Sequence, residues 1–448
     1  MRHIQRFIGW SFVTVLMLML VIVLTADRQV AEAHPGFSRK YKTSCTTCHV
    51  AFPRLNDFGN AFRMNGYQLP EDDDFYVKEV PVSLGAEGWK EVFPQGVWPN
   101  SIPGSAPIGL EFPFRVTRTA GQQGSDGPLV DFNFPTSVGL ITGANLGSDL
   151  AFWGRVQLGE EVEVERAFLV ATNLGMNLDW LVEGGIWDGL PPHLLNVRVG
   201  RMEPGAIPFS NHYWRLTLAP YALNSFMVGE NDFTLEPSLS SLEAYGSVAG
   251  RVRYVAGLTT GTADTDNNSE KDFYGRLAFK IGGIGFDGSR AGGGDTLVQT
   301  QNWTDNSFTL GTFGYYGTNR LDDPAITGRV FDDRFYRFGF DGRLNLGDFD
   351  LFGAVMLGKD SDLAMNREDV TSEVAFVELD WVILPWLISA TRFEYSNIEG
   401  PGDDVRRIIP SITVLARANV KFVVEGRIPI DDKTDEPDIF QLGLNVAF

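Results

Sequence analysis

The chain is poor in the residues that most often carry chemistry. Only two of its 448 residues are cysteine and five are histidine. Two cysteines cannot build a disulfide framework. Cations are scarce as well: 37 Lys and Arg stand against 57 Asp and Glu, for a formal charge of −20. Nucleic-acid binding needs cations to neutralise phosphate, so no nucleic-acid partner is expected. A hydrophobic fraction of 44 % is too ordinary for a protein with many membrane-spanning helices. It leaves room for a transmembrane barrel, whose strands alternate apolar and polar residues. What the chain has in quantity, 49 Gly and 33 Phe, suits strands and turns better than helices.

The first residues read as an address. Arg2 and Arg6 precede an apolar run over residues 8–24, and Ala31-Glu32-Ala33 supplies a small-x-small cleavage pattern. Residues 1–33 are therefore expected to be a secretory signal, removed after Ala33. The alternative is an uncleaved inner-membrane anchor, since the run is long enough to span. On the first reading the mature chain begins at His34, outside the cytoplasm.

Both cysteines fall in one motif, Cys45-Thr46-Thr47-Cys48-His49. C-x-x-C-H is the attachment signature of c-type haem. Two thiols separated by two residues can add to the two vinyl groups on one porphyrin edge, and the adjacent imidazole can serve as proximal ligand. A disulfide, a redox C-x-x-C and a partial zinc site compete with this reading. Zinc needs further ligands at suitable spacing, and a thioredoxin-type motif needs a βαβ context; the sequence offers neither. One covalent haem c is therefore expected, held by Cys45, Cys48 and His49. For the sixth position Met64 is the leading candidate, since its thioether would raise the reduction potential; it could equally be an apolar packing residue. His34 is the alternative. His193 and His212 could reach the haem only if the two parts of the chain nest.

Residues 34–75 are too few to bury an adequate core alone. Phe37, Phe52, Phe58, Phe62 and Tyr67 can line one face of a porphyrin. The rest of the pocket must come from elsewhere in the chain. The acidic run Glu71-Asp72-Asp73-Asp74 reads as an exposed linker.

From residue 76 to 448 short alternating stretches recur, as in Leu195-Asn196-Val197-Arg198-Val199 and Arg251-Val252-Arg253-Tyr254-Val255. Residues 338–346 alternate, Gly347-Asp348 turns the chain, and residues 349–357 run back, which is a hairpin. Pro385-Trp386 and Ala418-Asn419 suggest further tight turns, and residues 262–271 a long loop. Leu442, Leu444, Val446 and the terminal Phe448 alternate with smaller or polar residues, a pattern that resembles the final strand of outer-membrane barrels. A soluble sandwich or jelly roll shares the alternation. The expected fold is mainly β: a transmembrane antiparallel barrel of about 16 strands. A barrel of that size leaves an open lumen unless something fills it. The small α/irregular haem segment is expected to plug the lumen or its mouth. Arg198, Arg251, Arg253 and Arg343 face the lumen by alternation.

The haem region resembles a known family. Pro35-Gly36-Phe37-Ser38-Arg39, Cys45-Thr46-Thr47-Cys48-His49, Pro53-Arg54-Leu55, Phe58-Gly59 and Phe62-Arg63-Met64-Asn65-Gly66-Tyr67 are similar to the fused monohaem cytochrome–porins of iron-oxidising bacteria. That resemblance implies an outer-membrane metal-ion oxidoreductase. Extracellular Fe(II), or another metal donor such as Mn(II), would give one electron to the haem, and a periplasmic c-type cytochrome would take it inward. Acidic residues Asp264, Asp266, Asp322, Asp323, Asp332 and Asp333 would concentrate cations at the loops, or merely keep the loops soluble. Two other readings stand beside it: a conduit for outward transfer to an external acceptor, and a solute porin with a haem plug.

Overall fold

The computed structural model describes residues 36–69, 73–83, 91–92, 101–120, 130–159, 161–177, 190–229, 231–261, 268–289, 301–322, 326, 328–361, 369–399, 404–430 and 436–448. The expected signal over residues 1–33, together with His34, Pro35, Glu71, Asp72, Asp264, Asp266 and Asp323, lies outside the described residues.

Antiparallel strands form one closed barrel. They are β1 (Ile108–Thr119), β2 (Val130–Asn133 continued by Val138–Asn145), β3 (Leu150–Leu158), β4 (Val162–Ala171), β5 (Asn196–Met202), β6 (Leu239–Val248), β7 (Val252–Thr259) and β8 (Asp272–Gly282). The series continues with β9 (Ser307–Asp322), β10 (Val330–Leu346), β11 (Phe349–Asp360), β12 (Val370–Leu384), β13 (Leu387–Ile398), β14 (Val405–Arg417), β15 (Val420–Pro429) and β16 (Ile439–Ala447). The two pieces of β2 pair with different parts of β1 and count as one interrupted strand, giving sixteen. Each strand pairs with its chain neighbours, and β16 closes the ring on β1.

Period-two alternation decides what faces where. On β10, Phe338, Phe340, Leu344 and Leu346 are exposed on the outer surface, while Arg337, Asp341, Arg343 and Asn345 are buried inside. An apolar exterior around a polar interior is the membrane-barrel arrangement. The three tight turns lie where the sequence places them: Leu346 pairs with Phe349, Leu384 with Leu387, and Arg417 with Val420. Gly347 takes a φ of 57°, which a two-residue hairpin loop favours. Phe448 stacks on Phe112 with ring centroids 5.6 Å apart, next to the closing seam.

Two details differ from the sequence reading. The barrel end carrying the three tight turns also carries the long connections over residues 172–195 and 283–306, so loop length alone does not separate the two ends. Arg251 sits in the β6–β7 turn rather than on a lumen-facing strand position, and it donates to the carbonyls of Gly282 and Gly283 at 2.5 and 3.2 Å.

Two described pieces of chain make contacts with inward-facing side chains of the wall. One is the connection over residues 203–238, which folds back inside the wall. Phe209, Trp214 and Tyr221 of this connection pack on Phe352 and Phe376 of β11 and β12. Wall side chains bind its backbone: Glu425 accepts from the amides of Leu218 and Ala219 at 2.6 and 2.7 Å, and Arg392 donates to the Ala219 carbonyl at 3.0 Å. The other piece is the segment over residues 36–69. The helices of the described residues include none long and apolar enough to cross a membrane.

Candidate cofactor site

Segment 36–69 is a chain of short elements. Helix α1 (Gly36–Tyr41) leads to a 3-10 turn (Cys45–Thr47), which Ser44 caps by accepting the Thr46 amide at 3.3 Å. A small hairpin follows, His49–Ala51 against Arg54–Leu55. Helix α2 (Asp57–Met64) starts at Asn56, whose Oδ1 accepts the Gly59 amide at 2.8 Å. The two halves touch at Cys48, whose carbonyl accepts the Asn56 amide at 2.9 Å. A Cβ on Gly59 would stand 2.1 Å from that carbonyl oxygen, so only glycine lets α2 pack there.

Buried charges fasten the segment to the wall. Arg54, 2 % exposed, pairs with Asp350 at 2.6 Å and also with Asp380. Asp57 accepts from Lys280 at 2.7 Å and from Arg343 at 2.8 Å. The Arg54 guanidinium also lies over the rings of Trp214 and Phe352, 5.0 and 4.9 Å from their centroids. Ala51 joins Leu216, Val382, Ile388 and Leu415 in an apolar cluster beside the tight turns. The segment therefore lies inside the barrel, near the end that bears those turns.

Between the segment and the inner wall of β2–β5 is an open cavity of about 200 Å³. Cys45, Cys48 and His49 all line it. Its remaining surface is mostly apolar, with Phe37, Phe52, Leu55, Phe62 and Tyr67 from the segment and Ile141, Trp153, Phe168 and Met202 from the wall. Phe37 and Tyr67 stack with centroids 5.1 Å apart. Of the aromatic residues proposed from sequence, Phe37, Phe52, Phe62 and Tyr67 reach the cavity; Phe58 is buried elsewhere.

His49 is held on both sides. Its Nδ1 donates to the Pro53 carbonyl at 3.1 Å, and its own carbonyl accepts Asn302 Nδ2 at 2.8 Å. Donation from Nδ1 leaves Nε2 as the nitrogen with a free lone pair. Burial pushes the imidazole down to about 4, so the ring is neutral at neutral pH, the form that binds a metal. Burial likewise pushes the Cys48 thiol up to about 12.

Met64 is not in this cavity. A helix turns about 100° per residue, so α2 carries two stripes. Gly59, Phe62 and Arg63 face the cavity with the cysteines. Asp57, Asn60, Ala61 and Met64 face a second pocket, toward Arg253 and Arg276. This geometry separates Met64 from His49, contrary to its expected place as sixth ligand. His193 lies in the β4–β5 connection, outside the cavity lining, with its amide donating to Asn173 at 2.7 Å. His212 and Met202 do line the cavity. The Nδ1 of His212 is 3.2 Å from Glu165, and burial beside Arg166 and Arg155 holds this imidazole well below its ordinary range. Residues 203–221 carry no sustained period-two pattern, and Pro204, Pro208 and Pro220 interrupt them.

The cavity also receives Arg63, Arg155, Arg166, Arg198 and Glu203. Burial pushes Glu203 up to about 7, although Ser210 donates to it at 2.7 Å. Of the acidic residues assigned to loops, Asp332 pairs with Arg320 at 2.9 Å, and buried Asp333 accepts from Asn231 at 2.8 Å. Among the described residues no group of three or more His, Cys, Asp or Glu is arranged to hold a metal ion.

No protein-family model matches the chain, and no curated protein matches it. Solved structures do. OmpF of Salmonella typhi, in complex with daunomycin, is 12 % identical with a TM-score of 0.51, over 78 % of this chain and 98 % of that one. An anion-selective porin from Comamonas acidovorans is 12 % identical, TM-score 0.51, over 76 % and 98 %. OmpT of Vibrio cholerae is 10 % identical, TM-score 0.50, over 78 % and 98 %. These likenesses are of fold: the chain is a closed antiparallel β-barrel of porin architecture.

Proposed function

We propose that this porin-type barrel is a fused cytochrome–porin: it carries one covalent haem c in its lumen and passes single electrons across the outer membrane. The observation that carries the reading is the meeting of Cys45, Cys48 and His49 on one largely apolar cavity inside the barrel. The residues fit the group. Two thiols and an imidazole with a free Nε2 stand on one side, flat aromatic walls surround them, and the buried Nε and Nη2 of Arg63 on the same cavity have no hydrogen-bond partner among the described residues. A haem bound there supplies one-electron chemistry at its iron.

The chain's own residues do the rest. Cys45 and Cys48 would hold the porphyrin covalently, and the Pro53 carbonyl fixes the tautomer and ring orientation of His49. Phe37, Phe62, Trp153 and Phe168 line the cavity and would exclude water from a bound group and lower the local dielectric. Arg54 and Asp57 anchor the segment against the wall. The family resemblance supplies the donor, extracellular Fe(II), and the acceptor, a periplasmic c-type cytochrome. Anaerobic mixing of the oxidised holoprotein in detergent with Fe(II), followed at the haem α-band, tests this. Iron-dependent reduction supports the oxidase; reduction by dithionite but not by Fe(II) points to another donor or to outward transfer.

A solute porin with a plug is the second reading, favoured by the likeness of fold to porins. Two inward-folded pieces of chain in the lumen support the conduit instead. Planar-bilayer conductance separates the two, because a solute porin passes ions at the rate of an open pore.

A further inference from the structure

One charged side chain of the cavity stands apart from the others. Arg155 pairs with Glu111 at 3.0 Å and Glu165 at 2.9 Å, Arg166 with Glu165 at 3.1 Å, and Arg198 with Glu243. Arg63 has no carboxylate in ion-pair contact among the described residues. Its guanidinium carbon instead lies over the Tyr213 ring, 4.0 Å from the centroid. Its Nε and Nη2 are buried without a hydrogen-bond partner among the described residues. Leaving charged donors buried and unmet is costly, and a carboxylate accepts two of them at once from the planar fork.

The placement is specific. Arg63 lies one residue beyond Phe62 on the cavity stripe of α2, and Gly59 on that stripe touches Cys48. The same short helix thus presents a cation to the cavity and braces the attachment motif. A planar apolar ring carrying carboxylates matches both the walls and the charge. Resting on the haem reading above, we propose that Arg63 is a positioning residue that clamps a propionate carboxylate of the porphyrin. The clamp sets the ring's angle in the lumen, and its positive charge favours the ferrous state.

The test uses full-length holoprotein in detergent, wild type beside Arg63→Gln and Arg63→Lys, with barrel folding checked by heat-modifiable migration and covalent haem by haemochrome absorbance. Midpoint potentials and the resonance Raman propionate-bending modes are then compared. Arg63→Gln should lower the ferrous-to-ferric ratio at fixed ambient potential about tenfold, which is about 59 mV for a one-electron couple. It should also shift the bending mode. Arg63→Lys keeps the charge but loses the fork, so it should recover most of the potential while the mode stays shifted. Wild-type potential and an unshifted mode in both variants, with covalent haem present, would overturn the clamp alone. Wild-type protein that folds but takes up no covalent haem would overturn the clamp together with the cytochrome reading. Should Arg63→Gln not fold, the bending mode of Arg63→Lys decides the matter.

Discussion

His49 Nδ1 lies 3.1 Å from the carbonyl oxygen of Pro53, four residues further along the chain. The bond spans the tip of the small hairpin, so backbone geometry, not a distant partner, aims the imidazole. An imidazole aimed by its own turn is insensitive to changes in the barrel wall. Replacing His49 with Ala should leave the thioethers able to form but convert the ferrous spectrum to a high-spin form with a weakened α-band. Absorbance of the reduced protein reads this directly, and an unchanged low-spin spectrum would assign the proximal ligand elsewhere.

Arg54 joins segment and wall through Asp350 and Asp380, with almost no exposure. Removing one partner of such a buried group leaves uncompensated charge, at about 3–5 kcal/mol. Arg54→Ala should therefore loosen residues 36–69 while the barrel stays intact. Limited proteolysis, with cuts appearing in the segment alone, is the measurement; a protease-resistant segment would show that its apolar contacts suffice.

Glu203 titrates near 7 in the folded chain because it is buried. Its carboxyl is raised above the unfolded value, so folding is favoured by the protonated form. That contribution is complete below about pH 4.5, the ordinary glutamate range, and is lost as pH rises through 7. Glu203→Gln should have little effect on thermal unfolding at pH 4 and should stabilise at pH 8, by at most on the order of 3 kcal/mol. Equal unfolding temperatures for the two proteins at pH 8 would contradict the burial argument.

Gly59 faces the Cys48 carbonyl at a distance no Cβ tolerates. Gly59→Ala must push α2 away from the Cys45–His49 motif. Covalent haem per folded barrel should fall several-fold, measured by haem stain against protein on one gel. Undiminished haem loading would mean that the motif and helix need not touch during attachment.

Deleting residues 36–69 removes one of the two pieces inside the lumen. Single-channel conductance in a planar bilayer should rise relative to the full chain. If it does not, the 203–238 connection is itself enough to block the pore.

Much of this arrangement was legible in the sequence because it rests on local rules. Leu442, Leu444, Val446 and Phe448 disclosed the last strand by alternation, and the residues of three tight turns disclosed their hairpins. Cys45, Cys48 and His49, neighbours in one short motif, all line the same cavity. Met64 was misplaced because proximity along the chain says nothing about helix phase: it lies two residues from Phe62, about 200° round the axis, and so faces the other way. The inward path of residues 203–238 was hidden for a different reason. Its contacts are with strands far along the chain, such as Glu425 and Arg392, and no local period encodes such partners.

The ring is shut by its first and last strands, Ile108–Thr119 on Ile439–Ala447. A wall of that kind has no side door. Residues 36–69 are made before any strand of it, yet they grip Asp350 and Asp380 on strands made late. The enclosed segment must therefore be in place when the final seam zips, or be drawn in end-on through a mouth afterwards. Assembly of this protein is a problem of order as well as of stability: a group fixed to the two cysteines would have to travel with them.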